Sequence, residues 1–433
     1  MMKKMGWFLL VMVLAVFMVA CSDSEKEENT KETTAGTTGT EQEQGTTESK
    51  PALSGEITVW AHPYTDGTGG EGDMWKEIVA NFETETGVKV NFEQIPWANR
   101  DQKILTALSA KQGPDVFYLI PDQMPKYAEE NMLLDLTPYL TQEDLSGFVP
   151  SSLEATTWKE KQYGLPILQT AESLVYNVDV IKAIGEDPTK LPTTWDEFKV
   201  WAQKAKDAGY YAFSFAGGGS LNNTLYPFLW QAGGNVIDEN SNILINNEAG
   251  VKTFELIKEM YTNGWIPQDS ITALEHDSLY LGGKMLAVNG SGISVSTLLS
   301  EKPFEFVIAP PLKETAQATY GTVGMFVGSG LSKNPDATAE FIKFMTNVEN
   351  QRKFNEITQY IPTQEAAKDI FASQQYLAQL AEYTQYAKPG IIHPSGRDIM
   401  PLIQAELQAM LEGKQTAQEA ADKAAASIEK LIK

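Results

Sequence analysis

Side chains able to do chemistry are spread through the chain in a pattern that favours binding over catalysis. The three histidines, His62, His276 and His393, are scattered, with no HxxxH or CxxC spacing, so a structural zinc site has no ligand set. With 57 acidic residues, paired carboxylates arise by chance, so a glycoside hydrolase stays only as the alternative reading. No Ser/His/Asp or metal constellation presents itself, and no cofactor is expected. The glycine loop from Gly67 to Gly72 lacks the Gly-Lys-Ser/Thr ending of a phosphate loop. The run from Asp238 to Asn242 has Ile243 where a calcium-binding EF-hand loop needs Gly, and Ala249 where it needs Glu, so it reads as a hairpin turn. The informative set is Trp60, His62 and Tyr64, then Trp97, then Asp122 and Gln123. These aromatic and hydrogen-bonding residues suit a sugar, whose apolar ring faces lie on aromatics and whose hydroxyls pair with carboxylates and amides. A polyamine is the other small-solute alternative, because an acidic cleft suits cations.

The elements that must position this set follow from hydrophobic spacing. Ile57-Thr58-Val59-Trp60 reads as a strand after Gly55. Asp73 is placed to cap a helix whose Trp75, Ile78, Val79 and Phe82 share one face, and Gly87 stops it. Val88, Val90 and Phe92 alternate with polar residues as a second strand. Trp97 to Ala110 has helical spacing, Gly113-Pro114 breaks it, and Val116 to Ile120 is apolar throughout, as a central parallel strand should be. This βαβαβ order calls for right-handed crossovers, and ligands of open α/β sheets bind beyond the carboxyl ends of the strands. Thr194 and Glu197 have capping-box spacing and open a helix with Phe198, Trp201, Ala202 and Ala205 on one face. Strands are expected at 173–177, 212–215 and 285–288, a β-hairpin over 236–245, and helices over 227–234, 251–261 and the last 35 residues. Trp75, Trp195 and Trp201 read as core, Trp60 and Trp97 as core or cleft, and Trp230 as facing the cleft.

The chain has 433 residues, 42% apolar and 21% charged, enough for two or three packed units. Its formal charge of −23 repels phosphates and anionic surfaces, which argues against nucleic-acid binding. Lys3 and Lys4 precede an apolar run from Trp7 to Ala20, and the sole cysteine, Cys21, follows it. That run has signal-peptide length, short of the roughly 18–20 residues that span a bilayer. A short retained membrane anchor is the plainer alternative. Residues 21–53 are rich in Glu, Thr, Gln, Ser, Lys and Gly without apolar periodicity, and read as a flexible tether.

Phe17-Met18-Val19-Ala20-Cys21 resembles the lipobox of bacterial lipoproteins, with Met18 where Leu is usual. That resemblance implies a signal peptide over 1–20, a lipidated Cys21, and a place on the extracellular face of the cytoplasmic membrane. Beyond it, Gly55-Glu56-Ile57-Thr58-Val59-Trp60, Phe82-Glu83-Thr84-Glu85-Thr86-Gly87-Val88-Lys89-Val90, Gly113-Pro114-Asp115-Val116 and Tyr163-Gly164-Leu165-Pro166 occur in family order. They are followed by Leu174-Val175-Tyr176-Asn177, Pro192-Thr193-Thr194-Trp195-Asp196-Glu197-Phe198 and Lys284-Met285-Leu286-Ala287-Val288-Asn289-Gly290. Together they resemble the maltose-binding-protein-like, extracellular solute-binding proteins of ABC transporters. The resemblance implies an α/β, two-lobed periplasmic-binding-protein-like fold of type II, with a first lobe of 54–168 plus 326–370 and a second of 169–325 plus 371–433. Hinged closure on a solute and delivery to the permease by a monomer would follow.

Carried over by position, the resemblance implies cleft roles for Trp60, His62, Tyr64, Trp97 and Asp122. Gln123 stands where the maltose-binding protein has Arg, and Thr170, beside Gln169, where it has a carboxylate. Asn222, Asn223 and Tyr226 fall in a cleft loop of the second lobe, joined by Trp230, Asn289, Ser291, His393 and Arg397. The turn at Asn289-Gly290-Ser291 lacks the Trp that relatives often carry just after it, which suggests a ligand of one to three sugar units.

Overall fold

The computed structural model describes residues 53–65, 69–238, 240–290 and 292–433. The apolar leader, Cys21, the tether through Ala52, part of the glycine loop, and Ser291 lie outside the described residues. In chain order the principal strands are β1 (Glu56–Ala61), β2 (Lys89–Gln94), β3 (Val116–Leu119), β4 (Gly164–Gln169), β5 (Ser173–Asn177), β6 (Tyr211–Phe213), β7 (Met285–Gly290), β8 (Phe306–Ala309) and β9 (Val323–Gly328). The helices used below are α1 (Glu71–Thr86), α2 (Arg100–Ser109), α3 (Met124–Glu129), α4 (Trp195–Asp207), α5 (Tyr226–Gln231), α6 (Glu248–Thr262), α7 (Pro335–Met345), α8 (Val348–Thr358), α9 (Gly396–Leu411) and α10 (Ala417–Ile432).

Two sheets divide these strands between two lobes. The first runs β2-β1-β3-β9-β4 and the second β8-β5-β7-β6. β1 is parallel to both β2 and β3, the arrangement that the wound units require. All four residues of β3 are buried, which matches its unbroken apolar run. β9 arrives from far along the chain and lies antiparallel to β3 and β4. Its apolar sequence fits a covered strand, but its partners are set by long-range topology that no local spacing encodes. In the second lobe, α4 opens with the Thr194–Glu197 capping box and buries Phe198, Trp201, Ala202 and Ala205.

Several boundaries differ from the sequence expectation for identifiable reasons. α1 starts at Glu71, after Gly70 in the left-handed region at φ 86°, so Asp73 sits inside the first turn instead of capping it. Glu71 is buried, and its carboxylate accepts from the Tyr64 backbone N–H (3.0 Å), the Thr65 N–H (2.8 Å), the Trp75 indole (3.2 Å) and the Gln94 amide (2.7 Å). One side chain thus ties the loop after β1 to α1 and to the end of β2. α2 begins at Arg100 and not at Trp97, whose indole N–H donates to the Pro63 carbonyl at 2.6 Å and is held back toward that same loop. The 236–245 segment makes a single antiparallel bridge, Ile237 to Ile243, in place of a full hairpin. Its turn is closed by the Asp238 carboxylate, which accepts from the backbone N–H groups of Asn240 and Asn242.

The lobes are joined where several crossings lie side by side. Between β4 and β5 the chain passes through Thr170, whose N–H donates to the Thr322 carbonyl while its hydroxyl accepts from the Thr322 N–H, both at 2.9 Å. The Glu172 N–H donates to the Tyr320 carbonyl at 2.8 Å, and Gln169 bridges Ile361 antiparallel. At Gly321 a Cβ would stand 2.1 Å from the Thr170 carbonyl oxygen, so only glycine allows the strands this close.

Glu71 is the most heavily bonded buried carboxylate of the first lobe, and its removal would strand several buried donors. Replacing Glu71 with Ala is expected to cost about 2–4 kcal/mol in denaturant unfolding, with a smaller loss for Glu71→Gln. A Glu71→Ala protein as stable as the parent would show that the knot contributes nothing.

Candidate functional site

The side chains that close the space between the lobes meet at Asp122, just past the carboxyl end of β3. Asp122 is 4% exposed. The Arg397 Nη2 donates to its Oδ1 at 3.1 Å, and Arg397 Nε lies 3.1 Å from Oδ2, within ion-pair range but off the N–H axis. The Asn222 side-chain amide donates to Oδ2 at 3.1 Å. Arg397 is set by the first turn of α9 and Asn222 by the turn that leads into α5, so one carboxylate of the first lobe receives two donors from the second. Burial pushes the Asp122 carboxyl up from its ordinary value, while Arg397 and Asn222 draw it back. A second ion pair between the lobes, Lys126 to Asp398 at 3.2 Å, lies on the exposed rim.

Buried polar atoms without a hydrogen-bond partner among the described residues occur in the knot and near it. They include Asn222 Oδ1, the Tyr226 hydroxyl and Glu172 Oε2. Tyr226 and Tyr320 both lie within electrostatic reach of Asp122, and Tyr320 also within reach of Glu172. Burial alone drives the Glu172 carboxyl up to about 8, so it holds its proton at neutral pH. Buried polar groups normally find partners, so unpaired atoms clustered at a cleft are suited to a polar ligand.

Two openings flank the knot. One, of about 410 Å³, is lined by Trp97, Asn99, Arg100, Asp101 and Arg397. The other, of about 730 Å³, has Glu129, Trp158 and Lys159 on one side and Asp238, Ser241 and His393 on the other. The Trp158 indole donates to Glu129 at 2.8 Å, and the turn at Lys159–Glu160 is left-handed at both residues (φ 47° and 64°). Sequence reasoning passed over Trp158, Glu129 and Glu172. Trp158 ends a two-residue strand too short to leave a pattern in the sequence, and a lone Glu among many acids carries no local signal.

The structure brings Asp122, Asn222 and Arg397 together, and distributes the other expected residues more widely. Trp97 is 39% exposed and lines the smaller opening, with the His62 imidazole stacked on it at 4.2 Å and the Arg100 guanidinium over it at 4.8 Å. His62 itself is fully buried, so it supports Trp97 and does not line the cleft. Its Nδ1 donates to the Ile95 carbonyl at 2.9 Å, and burial lowers its pKa to about 4. Tyr64 is buried edge-on to Trp97, Tyr118 and Phe354. Trp60 borders a groove formed by first-lobe residues along α2, with Lys103 over its ring at 4.8 Å. Gln123 turns inward, accepting from the Ile120 N–H and donating to Asp101. The Thr170 hydroxyl is used in the hinge.

Asn289 donates from its amide to the backbone carbonyl of Asn223, which leaves the exposed Asn223 side chain free of that contact. Trp230, read from sequence as facing the cleft, is 3% exposed and packs in the second-lobe core, because α5 buries every one of its residues. His393 lines the larger opening and accepts from the Ser395 N–H through Nδ1.

The fold also aligns a Ser/His/Asp set that the sequence did not disclose. The Ser214 hydroxyl lies 3.1 Å from His276 Nδ1, and His276 Nε2 lies 3.1 Å from Asp269. The Asp269 side chain is 68% exposed, so it is not the buried orienting carboxylate of a hydrolase. The backbone N–H groups of the adjacent Gly217 and Gly218 are already committed to Ser270 and Ala273, which leaves them unable to serve as an oxyanion hole. This set braces the second lobe.

Two α/β lobes, strands crossing between them side by side, and a polar knot at their junction define a two-lobed solute-binding protein. Residues 66–352 match the bacterial extracellular solute-binding protein family, and the chain belongs to that family of binding proteins. The chain is 25% identical to the galactooligosaccharide-binding protein of Bacillus subtilis over 100% of its own length and 98% of that protein's. It is 26% identical to the sn-glycerol-3-phosphate-binding periplasmic protein of Salmonella typhimurium over 65% of this chain and 70% of that one. An ABC substrate-binding protein from Listeria monocytogenes, in complex with cycloalternan, superposes with a TM-score of 0.75 at 21% identity, covering 88% of this chain and 99% of that one.

The buried Glu172 gives a signed pH dependence. Its folded value of about 8 exceeds the ordinary carboxylate value of 4.5, so between these pH values the folded state holds a proton that the unfolded state releases. Its contribution to stability is therefore fully present below pH 4.5 and is lost as pH rises from there toward 8. Thermal melts across this window are expected to show a shallower decline for Glu172→Gln than for the parent, and parallel curves would contradict the assignment.

Proposed function

We propose that this protein is the capture subunit of an ABC importer, binding an uncharged mono- or short oligosaccharide between its lobes and handing it, chemically unchanged, to the permease. The observation that carries the reading is the junction at Asp122. There Arg397 and Asn222 from the second lobe face a buried carboxylate of the first, with the Asn222 Oδ1 and the nearby Tyr226 hydroxyl left without protein partners. Hydroxyl groups both donate and accept, so a polyol can pair with carboxylate, guanidinium, amide and phenol at once. Trp97 and Trp158, at the two flanking openings, supply apolar faces for sugar rings. Two of the relatives support this class, one named for binding a galactooligosaccharide and one solved with cycloalternan, while the sn-glycerol-3-phosphate-binding relative is named for an anionic polyol.

On this reading the protein works as a monomer on the outer face of the cytoplasmic membrane, held by lipid on Cys21 and a tether over 21–53. The lobes comprise about 54–168 plus 326–370 and 169–325 plus 371–433. The residues proposed to contact ligand are Asp122, Asn222 and Arg397, with Trp97, Trp158 and the Tyr226 hydroxyl around them. The fully buried His62 and Tyr64 hold Trp97 in place.

Titration of the purified protein against a panel of neutral mono- and oligosaccharides, followed by tryptophan fluorescence, is expected to reveal at least one saturable ligand. Replacing Trp158 with Ala is expected to weaken that ligand by about tenfold, with the melting temperature little changed. Silence toward every sugar would defeat the saccharide assignment.

A further inference from the structure

Both arginines that border the smaller opening between the lobes are matched by acids. Arg100 Nε lies 3.2 Å from Asp101 Oδ1, and Arg397 contacts both oxygens of Asp122. Arg100, Asp101 and Arg397 line the opening, and Asp122, buried behind Arg397, supplies the second carboxylate that balances the two guanidinium charges. The two pairs are unequal in what else holds them. Asp101 also accepts from the Gln123 amide and stays within its own lobe, whereas the buried Asp122 carboxylate accepts from Asn222 and Arg397 of the second lobe. Arg397 retains 32% side-chain exposure and lines the opening, while its Nε is buried beside Asp122 Oδ2, so an entering ligand meets a guanidinium already held by a carboxylate. An unpaired guanidinium in such a place binds carboxylate or phosphate strongly, because its donors match two oxygens of an oxyanion.

We infer that Asp122 is a charge filter: by occupying Arg397 it denies the cleft an anion-binding guanidinium and restricts the ligand to uncharged polyols. This inference rests on the sugar-binding reading and adds the reason that phosphorylated or carboxylated sugars are refused. An anion entering beside Arg397 must either displace the Asp122 carboxylate, leaving a buried charge without its partner, or sit next to it and be repelled. A neutral hydroxyl meets neither obstacle, since it can donate to Asp122 and accept from Arg397 without parting them. Asp122 thus acts as a specificity residue through its charge, while Asn222 fixes the carboxylate's orientation from the opposite side.

The test uses glucose 6-phosphate and inorganic phosphate as probes, with calorimetry at low ionic strength on the mature protein. The wild type is expected to bind neither. Asp122→Asn, which keeps the shape and removes the charge, is expected to bind glucose 6-phosphate measurably, at least about tenfold more tightly than the weakest affinity the wild-type titration would detect. The double variant D122N/R397Q is expected to lose that gain. Asp122→Ser serves the same purpose should the Asn variant fail to fold. No gain of anion binding in the folded Asp122 variants, or a gain that survives in D122N/R397Q, would overturn the filter. The neutral-sugar titration of the wild type reads the underlying assignment separately. A wild type that binds sugar while its Asp122 variants stay blind to anions defeats the filter alone. A gain of anion binding in a protein whose wild type binds no sugar upholds the filter and defeats the saccharide reading.

Discussion

A carboxylate with almost no exposed surface, supplied by one lobe and satisfied by the other, is the constraint around which this molecule is arranged. Taking Asp122 out of water is costly unless charged and hydrogen-bonding partners replace the lost solvent. Its partners come from 100 and 275 residues further along the chain. Those partners arrive only when the second lobe is seated against the first, so the electrostatics of one residue and the relative position of two folded bodies become the same problem. The strands that cross between the lobes solve the mechanical half of it. They are held by reciprocal backbone and side-chain bonds at Thr170 and Thr322 and by a glycine that lets strands approach where no Cβ fits.

The first lobe is built to keep its side of the junction still. Glu71 gathers the loop after β1, the start of α1 and the end of β2 onto one carboxylate. The same loop receives the Trp97 indole, and His62 stacks beneath that ring. The aromatic side chains beyond β1 and β2 therefore form a layered support in which only Trp97 keeps substantial exposure. Such layering gives a flat, rigid apolar face at low entropic cost, which suits recognition of sugar rings.

Much of the first lobe was legible in the sequence, because its elements are local. Val116 to Leu119 is buried as its apolar run implied, and β1 pairs in parallel with β2 and β3; in the second lobe the equally local capping box of Thr194 and Glu197 opens α4. What the sequence hid is nonlocal. β9 enters the centre of the first sheet from the far side of the second lobe, and the bond from Arg397 to Asp122 spans 275 residues. Trp230 shows how a helix position misleads, since α5 is short and buried and the Trp230 ring packs in the second-lobe core. Ser214, His276 and Asp269 show the reverse case, a chemically suggestive alignment that spacing did not reveal and that its surroundings render structural.

Crystallography of the wild-type protein with a neutral saccharide that saturates its fluorescence tests the central claim most directly. The account places the sugar at the lobe junction, with hydroxyls bonded to Asp122 and to Arg397 or Asn222 while the carboxylate and guanidinium remain paired. A sugar seated elsewhere, with the knot at Asp122 closed and untouched, would contradict it.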